Sequence, residues 1–219
     1  MLPQTLSAIP LEELGPWLAM IGFGAYHGIN PGMGWLFALS LGLQQNSERA
    51  LRMALLPIAA GHASSVAIFA LLVYAGAHVI PVRPLQILTA ALLIAFGIFK
   101  LFNYYRHPRW VGMKVSLGDL FGWSFLMATA HGAGLMVAPA MVGMTHGHGG
   151  HEMPMQPGMN LFFAVILHTL VMLTVMGLVA WIFYRKFSLA VLRRNWINFD
   201  LIWAVALLVV GGIALFIAL

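Results

Sequence analysis

The chain has 219 residues, of which 61% are hydrophobic and only 8% charged. A soluble domain carries about 25% charged residues, so the composition excludes a water-soluble globular domain and predicts an integral membrane protein. The formal charge of +5 does not point to nucleic acid, because the basic residues are scattered between apolar runs, and the lack of cysteine excludes disulfides, thiolate metal sites and thiol redox chemistry.

The first 14 residues include Glu12 and Glu13 and lack a basic stretch. No signal peptide is expected there, and 1–14 reads as an outward-facing N-terminal segment. A membrane-crossing helix needs about 20 apolar residues. Six runs qualify, at about 15–43, 53–78, 84–104, 119–144, 160–184 and 198–219.

The first run is too long for one straight span, and Asn30-Pro31-Gly32 interrupts it. Proline removes a backbone donor and glycine permits unwinding, so this helix should be broken. Gly28, Pro31, Gly32 and Gly34 are the expected hinge residues, with Gly132 as their weaker counterpart in HGAGLMVAP (131–139). Gly24, Gly28 and Gly32 recur every four residues and predict close packing against another helix. Freed backbone at bilayer depth is tolerated only where it is buried or lines a cavity.

Orientation follows from the eleven Lys and Arg residues. Arg49, Arg52, Lys100, Arg106, Arg109, Lys114, Arg185, Lys186, Arg193 and Arg194 fall on one side, and only Arg83 on the other. Basic residues mark the cytoplasmic face, so both termini are expected outside a prokaryotic inner membrane, and 105–118 forms a cytoplasmic basic loop. Asp119 and Asp200 open spans four and six, where carboxylates suit helix N-termini.

The second span carries AGHASS (60–65), the fourth TAHG (129–132) and the fifth ILHT (166–169), which join AYHG (25–28) of the first. His27 and His62 are 35 residues apart, and His131 and His168 are 37 apart. A histidine-free span follows each pair. This predicts an all-α fold of two inverted three-helix repeats, 15–104 and 119–219, as in many secondary transporters. At 1.5 Å per residue, all four histidines lie roughly 12–18 Å into their spans, near the bilayer midplane. Polar groups there normally face the bundle interior.

Neutral imidazole suits nickel, cobalt, zinc and copper. The expected intramembrane metal site is His27, His62, His131 and His168, with Asn30 and Met33, and with Ser64, Ser65 and Thr169 as further oxygen donors. The outward loop THGHGGHEMPMQPGM (145–159) holds His146, His148, His151, Glu152, Met153, Met155 and Met159. Histidine and thioether together favour soft or borderline ions, copper above all, so this loop is expected to gather metal.

His27-Gly-Ile-Asn-Pro31-Gly32-Met33-Gly34 resembles the first motif of the small nickel/cobalt permease and efflux family, and Gly61-His62-Ala-Ser-Ser65-Val66 resembles its second. Met33 stands where the family has a second histidine, and Trp35 where it has a lysine. The resemblance extends to six-span transporters with lysine-exporter-like and cytochrome-c-biogenesis-like folds. It implies a 3+3 arrangement, alternating access and transport of a transition-metal ion. No adenine-nucleotide motif is present, and no enzyme activity is expected. Two alternatives use the same histidines: a redox protein holding haem b between helices, and a subunit that delivers metal to a membrane enzyme. The expected partners are the bilayer, the metal ion, and a membrane protein or a second copy, with no nucleic acid.

Overall fold

In a bilayer the backbone must satisfy its own polar groups, which leaves helices as the solution for apolar runs like these. The computed structural model describes residues 11–103, 116–145, 157–186 and 199–219, and among these there is no strand. The described residues form eight α-helices in succession: α1 (Leu11–Ile29), α2 (Trp35–Gln44), α3 (Glu48–Val79), α4 (Val82–Asn103), α5 (Leu117–His131), α6 (Ala133–Thr145), α7 (Pro157–Lys186) and α8 (Phe199–Ala218), with a 3-10 turn, Pro31–Met33, between α1 and α2.

Helices α3, α4, α7 and α8 are each long and apolar enough to cross a membrane. The α5–α6 pair adds a fifth such segment, bent by 66° at Gly132. The last five expected runs coincide with these segments to within a few residues, while the first divides into α1 and α2 about the 3-10 turn. Thr145 closes α6, and Pro157, Gly158 and Met159 open α7, so the expected outward loop is shorter at both ends. Its metal candidates His146, His148, His151, Glu152, Met153 and Met155 lie outside the described residues, as do Arg106, Arg109, Lys114, Arg193 and Arg194.

The packing follows a pattern. Helix α1 lies on α7, as α5 lies on α3; α3 and α7 pack on each other, and so do α4 and α8. The α4–α8 contact is reciprocal. A Cβ on Gly97 would stand 3.2 Å from the amide nitrogen of Leu208, and one on Gly211 would stand 3.1 Å from that of Ile94. Each glycine therefore lets the facing backbone approach, as small residues do in membrane helix contacts. Gly24 and Gly28 act likewise on α7, where added Cβ atoms would lie 2.7 Å from the carbonyl oxygens of His168 and Met172.

Two ends of the bundle can be recognised. At one, Arg185 of α7 pairs with Glu48 at the start of α3, beside exposed Arg49, Arg52 and Lys186. At the other, the Arg83 guanidinium donates to the Ala218 carbonyl at 3.0 Å, capping the end of α8. Asp119 serves the helix start as its position predicted, as the N3 partner in a capping box whose N-cap is Ser116: its carboxylate accepts from the Ser116 amide at 2.8 Å, and its own amide donates to Ser116 Oγ at 3.2 Å. Large apolar side chains such as Leu71, Leu72, Phe102, Phe162, Leu170 and Phe216 are exposed around the outside, as on a surface that meets lipid.

Candidate metal centre

Three of the four expected histidines meet. His27 comes from the last turn of α1, His62 from the middle of α3 and His168 from the middle of α7, and all three are fully buried. His27 Nδ1 lies 3.0 Å from His168 Nε2, and His62 Nε2 lies 3.3 Å from the same atom. The rings of His62 and His168 stack, with centroids 5.5 Å apart, and His27 meets both edge-on. One ring nitrogen from each residue falls within 4.8 Å of the other two.

The positions are roughly midway along their spans. His62 lies about 21 Å from the start of α3 and about 25 Å from its end, and His168 about 16 Å and 27 Å from those of α7. The tight seat of α1 on α7 sets the third ring. Gly24 and Gly28 bring the two backbones together on either side of His27, which places His27 against His168.

Hydrogen bonding settles one tautomer. His168 Nδ1 lies 3.1 Å from the Met20 carbonyl oxygen, which can only accept. Nδ1 therefore carries the proton, and Nε2 presents its lone pair to the other two histidines. Binding a ring N–H to a backbone carbonyl is the usual way a metal-ligating histidine is oriented. His27 Nε2 and His62 Nδ1 are buried without a hydrogen-bonding partner. Buried polar atoms are seldom left so. When the facing nitrogens of His27 and His62 bear lone pairs, these outer atoms bear the protons, which is the tautomer an ion between the three rings requires.

The spacing suits such an ion. Metal–imidazole bonds of 2.0–2.1 Å in tetrahedral geometry put neighbouring nitrogens roughly 3.3 Å apart, close to the separations found here. Among the described residues no carboxylate joins the group. An all-imidazole set favours nickel, cobalt, zinc or copper over magnesium or calcium, which prefer oxygen. Haem fits less well, because these rings touch one another and leave no gap for a macrocycle.

His131 is not one of the three. It ends α5 as His27 nearly ends α1, and its Nδ1 lies 2.8 Å from the Met127 carbonyl. Trp203 of α8 stands between the two: its ring stacks on His27 with centroids 5.1 Å apart and meets His131 edge-on at 5.6 Å. The expected grouping of all four histidines is thus divided into three and one.

The other expected donors have local partners. Asn30 Oδ1 accepts from the Gly32 amide at 2.9 Å and caps the 3-10 turn. Met33 is buried among Leu93, Met136, Trp203 and Leu207. Ser64 and Thr169 donate to the carbonyls of Ala60 and Val165 in their own helices, and Ser65 Oγ pairs with Thr129 Oγ1 at 3.0 Å across α3 and α5.

Both interruptions are built to keep the backbone satisfied. At the first, the Gly34 amide reaches Pro31 O at 3.2 Å, and the Trp35 indole N–H reaches Ile29 O at 3.0 Å. At the second, Gly132 adopts the left-handed conformation (φ 69°, ψ 34°), and the Trp203 indole N–H donates to His131 O. A tryptophan thus serves a carbonyl beside each break. Of the expected hinges, Pro31, Gly32, Gly34 and Gly132 lie in the breaks, whereas Gly28 lies within α1 and acts through packing. Sequence reasoning missed Trp203 and the Met20 carbonyl. A tryptophan near the start of a span reads as an ordinary interfacial aromatic, and any backbone carbonyl is invisible to side-chain patterns.

Comparison of the chain with protein-family models, with curated proteins and with solved structures finds no match. The functional reading therefore rests on the site.

Proposed function

We propose that the chain is a six-span permease for a transition-metal ion, built as two inverted repeats, with His27, His62 and His168 as its intramembrane binding site. The observation that carries this reading is the meeting of three imidazole nitrogens, 3.0 and 3.3 Å apart, at fully buried positions on three helices. Ionisable groups at this depth are costly and mark ion pathways when they converge.

The repeat is supported by the packing. Exchanging α1–α2 with α5–α6, α3 with α7 and α4 with α8 turns the α1–α7 contact into the α5–α3 contact. It leaves the α3–α7 and α4–α8 contacts in place. Both first spans break just after a histidine, and paired broken spans accompany midplane sites in such transporters.

Transport then consists of exposing this pocket to one face and then to the other, by rocking one three-helix unit against its mate. Glycine-mediated contacts suit that motion, because they bury little side chain that must repack. The basic end marked by Arg49, Arg52, Arg185 and Lys186 would face the cytoplasm.

The test is a liposome assay. Purified protein is reconstituted with a metal-sensitive dye inside, and cobalt, nickel, zinc and copper(I) are offered in turn. At least one ion should enter faster than into empty liposomes, and a His62→Ala, His168→Ala double variant should lose the difference. Equal entry with and without protein for every ion, or an unaffected double variant, overturns the reading.

A further inference from the structure

The histidine of α5 is placed by the same local design as the histidine of α1, yet only one of them reaches the central pair. We infer that His27 and His131 alternate as the third ligand of the ion, each in one of two opposite-facing states, while His62 and His168 hold it throughout. This rests on the inverted-repeat permease reading above.

The argument begins with the central pair. His62 and His168 lie on α3 and α7, which pack on each other and exchange with each other between the repeats. An ion between them lies near the axis relating the two halves. His27 reaches this pair from α1, the helix that packs on α7, and touches His168. The counterpart of α1 is α5, which packs on α3. The counterpart of the His27–His168 contact is thus a contact between His131 and His62.

Inverted repeats rock one half against the other about a fixed site; where the two halves exchange conformations as the open side changes, a contact made by one half in one state is made by the other half in the next. The asymmetry seen here is therefore that of one state. His131 belongs to the half that is withdrawn.

The local structure around His131 suits this exchange. It sits directly before Gly132, whose left-handed backbone (φ 69°) makes the 66° bend between α5 and α6. Its Nδ1 is turned to the Met127 carbonyl, as that of His168 is turned to the Met20 carbonyl, so a backbone oxygen orients both rings. Trp203 separates it from the three clustered imidazoles, with His27 stacked on the indole. Movement of Trp203 with α8 would uncover one imidazole while covering the other.

Two measurements test the exchange. The chain has no native cysteine, so a His131→Cys, His62→Cys pair can be oxidised with iodine free of background. A disulfide requires Cα atoms within about 7 Å. It should form, and His27→Cys with His168→Cys should cross-link too. Separately, His131→Ala should retain equilibrium cobalt binding while its transport falls on the order of tenfold or more, the scale at which metal-site partners act; His62→Ala should lose both.

The inference is overturned if the His131–His62 pair never cross-links while the His27–His168 pair does. It is also overturned if His131→Ala transports at the wild-type rate, or loses binding as fully as His62→Ala does, which would make His131 a fixed fourth ligand. A wild-type chain that moves no ion sinks the permease reading, while the cysteine pairs still decide whether the two histidines exchange.

Discussion

His27 and His168 are 141 positions apart in the chain, yet Nδ1 of the first lies 3.0 Å from Nε2 of the second. Two glycines make this contact, not any attraction between the rings. Gly24 and Gly28 let α1 settle onto the α7 backbone, at carbonyls where a methyl group would stand 2.7 Å away. Packing comes first, and the arrangement of the three imidazoles follows from it.

Gly28→Ala should accordingly damage the site without touching it. The new methyl would meet Met172 O at 2.7 Å and Val175 Cβ at 2.8 Å, with backbone on one side and a stiff branched side chain on the other. Overpacking of this kind costs about 1–3 kcal/mol. Thermal unfolding in detergent should begin at lower temperature, and cobalt affinity should fall because His27 is lifted from His168.

Met33 lies with Leu93, Met136, Trp203 and Leu207, a hydrophobic cluster distinct from the three facing nitrogens. Met33→Leu conserves volume and should cost less than about 1.5 kcal/mol. X-ray absorption of the bound ion should show nitrogen neighbours at about 2.0–2.1 Å and no sulfur. A sulfur shell that disappears in the Met33→Leu variant would show a thioether ligand instead.

Trp203→Phe keeps an aromatic face for His27 but removes the N–H that serves His131 O. Leaving a buried acceptor unsatisfied costs about 1–3 kcal/mol. Stability should drop by that amount while cobalt still binds. Trp203→Ala removes the stacking surface as well and should weaken both.

Gly132→Ala should impair transport more than binding. The residue is held at φ 69°, a region that costs an L-residue about 1–2 kcal/mol, and a Cβ there would stand 2.6 Å from the Phe96 ring. His27, His62 and His168 lie outside this bend. Binding titrations should change little, whereas liposome uptake should slow.

Much of the fold was legible along the chain. The apolar runs that predict helices became helices, because in lipid no other local structure satisfies their backbone. Asn30-Pro31-Gly32 announced its break, since proline lacks the donor a continuous helix needs. Gly132 announced its break only weakly, because a single glycine is compatible with an unbroken membrane helix. Asp119 was recognisable as a cap from its place at the start of a span.

The sequence by itself determined that the chain is helical and apolar, that histidines stand at matched positions along four of its apolar runs, and where the first of those runs must break. It could not determine which histidines meet. That depends on how far one helix sinks onto another, and on where Trp203 of the last helix comes to rest between His27 and His131. Periodicity reports the face on which a residue lies, whereas the distance between two faces is decided by side chains on both. Only the tertiary structure therefore separated three imidazoles that share a pocket from a fourth held beyond an indole ring.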